Sequence, residues 1–148
     1  MDKYTLIDVG TVRALANVAL LAACEGLVPA SERIVNALEL ARPNEPTIRV
    51  CRAMLLARQE KFTEAIDLLR VAAREWPKNQ TVRSILGFML FTTGEDGWKP
   101  LLEAVVADGS DPAAVELAQM ILDESDTPVG SASSRANPLE GRQIIRYA

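Results

Sequence analysis

The chain of 148 residues is 49% hydrophobic, 24% charged and only 5% aromatic, and its 16 basic and 20 acidic residues give a formal net charge of −4. This length predicts one domain, or one domain and a tail, with a core of aliphatic rather than aromatic side chains. The acidic balance argues against a nucleic-acid partner and supplies no general attraction to an anionic membrane. The sequence contains no histidine, which is the commonest general base and metal ligand. We therefore expect no enzyme activity, no cofactor and no metal site.

The two cysteines, Cys24 and Cys51, lie inside apolar helical patterns and lack the spacing of a zinc site. We expect both to be buried, reduced thiols, because nothing in the sequence directs the chain to an oxidising compartment. Residues 1–6 show no charged segment followed by an apolar one, as a secretory signal would. No apolar run is long enough to span a bilayer. These features predict a cytoplasmic protein without membrane insertion.

Polar breaks divide the chain into seven helix-sized segments that are rich in alanine and leucine. No segment alternates apolar and polar residues between hairpin signals, so the fold is predicted to be all-α. Asp111 and Pro112 are typical of a helix start, since the aspartate caps free N–H groups and the proline lacks one. In chain order the predicted helices cover residues 11–25, 28–41, 46–59, 62–75, 80–93, 98–107 and 112–124.

An internal repeat runs through the first six predicted helices. Small residues recur at Ala19, Ala53 and Gly87, where the two helices of a pair would pack closely. The same spacing relates further sets: Gly26, Glu60 and Gly94 in the breaks, and Ile34, Leu68 and Leu102 in the second helices. The shared spacing is the period of tetratricopeptide helix pairs, about 34 residues. We therefore predict a right-handed superhelical stack of three degenerate tetratricopeptide-like pairs.

The last predicted helix, residues 112–124, has one apolar face and is expected to cap the open end of the stack. From Ser125 the composition shifts to serine, proline, glycine and asparagine, with few large apolar groups. Such a segment buries too little surface to fold. The predicted organisation is a helical domain over residues 1–124 and a disordered tail over 125–148. The apolar residues 143–148 would either dock on a partner or on the domain itself, or form a frayed end.

Because no catalytic pattern emerges, the remaining candidate site is a binding surface. In a stack of helix pairs the first helices line the concave face, and their repeat positions here are small or apolar rather than basic. An apolar groove suits an amphipathic helix with anchors at i, i+3, i+4 and i+7. The alternative interpretation is that these residues are ordinary core. The candidate groove residues are Ala16, Leu20, Ala23, Val50, Met54, Ala57, Phe88 and Phe91.

Three short stretches carry a resemblance to a known group of proteins. They are the Leu-x-x-Ala-Arg-Pro of residues 38–43, the Trp98 that follows Gly-Glu-Asp-Gly, and the Gly-x-Asp-Pro of residues 109–112. The last lies within LLEAVVADGSDPAAVELAQMIL, residues 101–122. Over residues 11–124 the chain resembles the small tetratricopeptide-like proteins of bacterial type III secretion systems. It is most similar to the chaperones of the needle subunit and the related Hrp-type proteins.

The resemblance implies a cytoplasmic, non-enzymatic chaperone in virulence-related protein transport. Its client would be a small helical secreted protein, a needle-type subunit, whose amphipathic helix lies in the concave groove and is thereby kept from polymerising. A small helical co-chaperone would complete the complex, and an empty apolar groove would favour a homodimer. Two alternatives stay open. One is a chaperone of translocator proteins, which bind as extended segments near Arg52 and Arg58, and the other is a structural adaptor that uses the convex face.

Overall fold

The computed structural model describes residues 7–127, and these residues form seven α-helices and no strand, with 80% of them helical. The all-α prediction is confirmed, and every predicted helix end lies within two residues of the observed one. Only the first three residues of the predicted tail, 125–127, are among those described, and the rest of that prediction lies outside them. The helices are α1 (Val9–Cys24), α2 (Val28–Ala41), α3 (Pro46–Arg58), α4 (Phe62–Glu75), α5 (Gln80–Thr93), α6 (Trp98–Asp108) and α7 (Pro112–Asp126).

Side-chain caps begin three of the helices. The Asp8 carboxylate accepts a hydrogen bond from the Thr11 N–H at 3.0 Å, and Asn79 Oδ1 accepts one from the Val82 N–H at 3.0 Å. Asp111 Oδ1 accepts from the first turn of α7, as its sequence predicts. The Thr11 hydroxyl also donates to Asp8, and this bond together with the backbone bond lowers the pKa of that carboxyl. The caps satisfy N–H groups that have no partner within the helix.

The three turns that join α1 to α2, α3 to α4 and α5 to α6 share one backbone conformation. Gly26, Glu60 and Gly94, which are separated by the repeat period, have φ of +82°, +62° and +73°, in the left-handed region. In each turn the next N–H donates to the carbonyl five residues back, at 2.8–2.9 Å: Leu27 to Ala22, Lys61 to Leu56, and Glu95 to Leu90. This is the hydrogen-bond pattern of a Schellman helix end. The repeat of the sequence is therefore also a repeat of the backbone.

The helices form two layers. The odd-numbered helices contact one another in succession, α1 with α3, α3 with α5, and α5 with α7. Each even-numbered helix packs against the odd-numbered helix before it and the one after it. Packing a pair on the next pair closes three continuous apolar clusters between the layers. The helix α7 takes the place that the first helix of a fourth pair would have.

Close approach within a pair requires a small residue on its first helix. Ala19, Ala53 and Gly87 are all buried, as the repeat predicts. A Cβ added at Gly87 would lie 2.7 Å from Leu102 Cγ, so this position of α5 admits no side chain without a shift of α6. The fully buried Leu102 therefore covers the surface that Gly87 leaves open.

The prediction that Ile34, Leu68 and Leu102 are structurally equivalent is wrong for the third pair. Ile34 and Leu68 are only half-buried, whereas Leu102 is fully buried, as Leu69 is in α4. The structural counterpart of Leu102 is therefore Leu69 rather than Leu68. The break before α6 has a second left-handed residue, Gly97 with φ +93°, in addition to Gly94. The turn before α6, residues 94–97, is one residue longer than the turn before α4, residues 59–61, and α6 itself is shorter than α4.

A second departure from the repeat period concerns α7. Its N-cap Asp111 follows the N-cap Asn79 of α5 at a spacing two residues shorter than the repeat period. The buried residues of α7 keep that same shorter offset from those of α5: Ala114 matches Val82, Ala118 matches Leu86, and Ile121 matches Met89. The two helices thus present equivalent faces to the pair before them, although the third repeat is two residues shorter than the second.

Candidate partner-binding surface

The eight candidate groove residues divide into two groups of four by their exposure. The first group is buried against the second helix of its own pair or against the next pair, and consists of Ala16, Ala23, Val50 and Ala57. The second group is half-buried, with one side of each side chain open, and consists of Leu20, Met54, Phe88 and Phe91. Only this second group offers a partner a sizeable apolar contact, while the first group sets how closely the helices approach.

Leu20, Met54 and Phe88 occupy one repeat position on successive, touching helices of the odd-numbered layer. The shorter offset of α7 places Met120 at the same position, and its side chain is 41% exposed. We call these four residues the central row. Counting at the strict repeat period misses Met120, because α7 follows α5 at a spacing two residues shorter than that period. Matching the N-caps Asn79 and Asp111 in the sequence would have found it.

Polar groups flank the central row on both sides. Two turns before the row lie Thr47 in α3 and Thr81 in α5, and one turn after it lie Arg58 and Thr92. The Thr92 hydroxyl donates to the carbonyl of Phe88 at 2.8 Å, which satisfies it within its own helix. The surface is therefore an apolar strip with polar margins, the composition expected of a groove that covers an amphipathic helix.

The third pair makes its end of the strip aromatic. The rings of Phe91 and Trp98 meet edge to face, with centroids 4.9 Å apart and an interplanar angle of 70°. Phe88 packs against the same clusters as Trp98. Ring contacts of this geometry add about 0.5–1.5 kcal/mol to the burial of the rings themselves. Phe91 is thus held rigidly beside the row by a residue of α6.

The two arginines considered for an extended acidic client are already engaged. The Arg52 guanidinium forms a salt bridge with Glu39 at 2.8 Å and donates to Asn36, which joins α3 to α2. The hydrogen bond and charge of Glu39 raise the pKa of Arg52. Arg58 donates to the carbonyl of Cys24 at 2.8 Å and to that of Ala23, at the end of α1. Both side chains connect one pair to the next.

The two thiols are free and differ in environment. Cys51 is buried, as predicted, and its Sγ lies 3.8 Å from the carbonyl oxygen of Ala16. Burial raises the pKa of the Cys51 thiol to about 11. Cys24 is half-buried rather than buried, so the prediction of two buried thiols is correct for one of them. Neither side chain is part of the central row.

The comparison with protein families matches residues 2–127 to the family described as "Bacterial type III secretion protein (HrpB1_HrpK)". The chain belongs to this family. No curated protein and no solved structure matches the chain.

The match to this type III secretion family includes all seven helices and hence the whole central row. The resemblance to Hrp-type proteins inferred from residues 38–43, 98 and 109–112 is thereby confirmed. Among residues 7–127 there is no group of acidic and cysteine side chains that could hold a metal ion. Within the same range no helix is both long enough and apolar enough to cross a bilayer.

Proposed function

We propose that this type III secretion protein is a cytoplasmic, non-enzymatic chaperone that binds an amphipathic helix of a needle-type subunit along its central row. The observation that carries the proposal is the row itself: Leu20, Met54, Phe88 and Met120 align across four touching helices and remain open on one side. We further propose that the three pairs and α7 curve as a tetratricopeptide-like superhelix with this row on its concave face. The shared turns and the two-layer contact order support that arrangement.

The dimensions of the row suit a helical client. Packed helices lie about 8–10 Å apart, so three steps across the layer span roughly 27 Å. An α-helix rises about 1.5 Å per residue, and roughly 18 residues therefore cover this distance. Successive row residues would meet client side chains about six or seven residues apart. A helix with apolar residues at i, i+3, i+4 and i+7 provides such anchors on one face.

The chemistry of the row explains how binding would prevent assembly of a filament. A filament subunit exposes an apolar helix face until it pairs with its neighbours, and that face is prone to associate with any apolar surface. Covering it with Leu20, Met54 and Phe88 removes it from water and from other subunits. The methionines add adaptability, because an unbranched thioether chain repacks around different partners. A small co-chaperone would fit this scheme by covering the part of the client outside the row.

A helical client is preferred over an extended one for a physical reason. An extended acidic segment of a translocator protein would need unpaired cations in the groove, and Arg52 and Arg58 are bound to Glu39 and to backbone carbonyls. Recruiting them would break the contacts that join neighbouring pairs. The adaptor alternative requires a binding site on the even-numbered helices, and an apolar side chain there, Leu40 of α2, provides the matched control for the test below.

The proposal is tested with the full chain, tagged and purified from its host, by identifying what accompanies it and measuring the affinity for the partner's amphipathic segment as a synthetic peptide. We expect a stoichiometric small helical protein, and a peptide that gains helix content on binding. Met120→Glu should weaken peptide binding at least about tenfold, because a carboxylate would be desolvated in the complex. It should not unfold the protein, since Met120 is 41% exposed.

Met54→Glu and Phe88→Asp should abolish binding while most of the helical circular dichroism signal remains. Leu40→Glu is the matched control, because Leu40 is 83% exposed and lies on α2, in the other layer. Equal loss with Leu40→Glu would favour the adaptor. Unchanged affinity in Met120→Glu and Met54→Glu would exclude the row as the site. If Met54→Glu and Phe88→Asp simply unfold, those two residues are core, and the groove assignment fails.

A further inference from the structure

Exposed large apolar side chains are concentrated at one end of the molecule. Eight such residues occur among residues 7–127, and six of them belong to α1, α2 or the turn between them. On α1 the most exposed is Val18, at 51%. The remaining two are Val71 of α4 and Met120 of the central row. The first pair therefore has an apolar surface that the rest of the described chain does not cover.

The repeat identifies what kind of surface this is. One repeat further along the chain, Ala14, Val18 and Leu21 of α1 correspond to Ile48, Arg52 and Leu55 of α3. Ile48 and Leu55 are buried in the cluster that joins α3 to the first pair, and Arg52 reaches the same pair through Glu39. The corresponding residues of α5 are Val82, Leu86 and Met89, and all three are buried. The exposed face of α1 is thus a stacking face that has no preceding pair among residues 7–127.

The other end of the stack is finished differently. The face of α7 that would pack on a second helix of its own pair has no such helix in the described range. It holds Glu116, Gln119 and Asp123, which match Ser84, Gly87 and Phe91 of α5 at the shorter α7 offset. All three α7 side chains are exposed and polar. A polar outer face is the normal way for a helical stack to end in water. The outer face of α1, in contrast, is apolar.

We propose that a second copy of this chain covers the α1 face, in an isologous dimer with the two α1 helices antiparallel. The face reads Ala14, Val18, Leu21 and Glu25, with alternating steps of four, three and four residues, which is the spacing of a helix-pairing seam. Antiparallel packing of this seam sets Val18 against the partner's Leu21, and by symmetry Leu21 against the partner's Val18. A single surface thus complements itself, as a two-fold interface requires.

Charge supports the same arrangement. In this register Arg13 lies within about one residue's rise of the partner's Glu25, which gives one ion pair at each end of the apolar centre. No salt bridge joins Arg13 or Glu25 to another of residues 7–127. Glu25 is the C-cap of α1, where the helix dipole disfavours a negative charge. Arg13 of the second copy would compensate for this unfavourable interaction. The central row stays open in this dimer, and the inference does not rest on the proposed client.

Sedimentation velocity of the full chain over a range of concentrations tests the dimer. We expect a monomer–dimer equilibrium for the wild type, and a dissociation constant raised at least about tenfold by Val18→Glu, which places two carboxylates at the centre of the seam. The matched control is Val71→Glu, a valine 39% exposed on α4, which should leave the equilibrium unchanged. Circular dichroism should show the same helix content in both variants, since both side chains are exposed.

Charge reversal tests the register. Arg13→Glu alone and Glu25→Arg alone should each weaken the dimer several-fold, and the double variant should return to within about twofold of the wild type. A wild type that stays monomeric to roughly 200 µM, a range in which even weak specific dimers form, would overturn the proposal. A dimer insensitive to Val18→Glu would do the same, because another surface would then hold it. Loss of dimer without rescue in the double variant would contradict the antiparallel register.

Discussion

The second and third helix pairs solve the same geometric problem with different residues. Both turn through a left-handed residue, but α3–α4 uses Glu60 where α5–α6 uses Gly94. Both bring their helices close through a small residue, which is Ala53 in one pair and Gly87 in the other. The backbone path is therefore shared by the pairs while the side chains that permit it differ. The repeat is set by the positions at which close approach or positive φ is needed.

The difference between the pairs also shapes the candidate surface. Because Gly87 has no side chain, Leu102 fills the space beside it, and the buried leucine of α6 lies one residue off the repeat register of α4. Trp98 then meets Phe91 beside the central row. The second pair has Ala57 at the place of Phe91. The strip is therefore aliphatic around Met54 and aromatic around Phe88.

The largest change in stability is expected when a buried leucine in the second helix of either pair is truncated. Leu102→Ala and Leu69→Ala should each lower the free energy of unfolding by about 3 kcal/mol, since both side chains are fully buried. Leu68→Ala should cost only about 1 kcal/mol, because Leu68 is half-buried. Urea denaturation of the three variants measures this directly. An equal loss of stability for Leu68→Ala and Leu102→Ala would contradict this account, because Leu68 would then be the counterpart of Leu102.

A smaller effect is expected where α5 and α6 approach most closely. Gly87→Ala should lower the free energy of unfolding by about 1–2 kcal/mol, because the clash with Leu102 outweighs the gain of about 1 kcal/mol in helix propensity. In a Leu102→Ala background the same change should be neutral or stabilising. A double-mutant cycle by urea denaturation gives the coupling between the two sites. Simple additivity would show that Gly87 is not required by this contact.

The smallest effects are expected in the turns. Glu60→Gly should raise the free energy of unfolding by about 0.5–1 kcal/mol, since glycine adopts positive φ without the penalty of a Cβ. Gly94→Ala should lower it by about 1 kcal/mol for the converse reason. Thermal unfolding of both variants against the wild type resolves these differences. Two changes of the same sign would mean that the turns differ in conformation despite their shared hydrogen bonds.

The helices and their spacing could be read from the sequence because each rests on local signals. Caps such as Asp111, breaks with Gly26 or Gly94, and the small residues Ala19 and Ala53 act within a few residues of themselves. The register shift of α6 could not be read, because it appears only in which leucine is buried, whereas the offset of α7 can be read from the N-caps Asn79 and Asp111. A second left-handed glycine, Gly97, precedes α6, and a connection one residue shorter than the one before α5 precedes α7.

The candidate surface was predictable in part for the same reason. The repeat identified Leu20, Met54, Phe88 and Phe91, which are half-open, but it could not separate them from Ala16, Ala23, Val50 and Ala57, which neighbouring helices bury. Burial depends on which helices meet. The repeat spacing shows which positions are equivalent, but not which of them a neighbouring helix covers. The salt bridge between Arg52 and Glu39 could not be predicted from the sequence for a similar reason, since it links residues of different pairs.

The most direct measurement is site-specific photocrosslinking of the full chain in its host. A photoreactive phenylalanine analogue is placed in turn at positions 54, 88 and 120 of the central row and at position 40 of α2. The account predicts that one small helical protein crosslinks at all three row positions, through residues of its own amphipathic helix, and not at position 40. Crosslinks that form at position 40 but at none of the row positions would contradict it, because the client would then lie on the other layer.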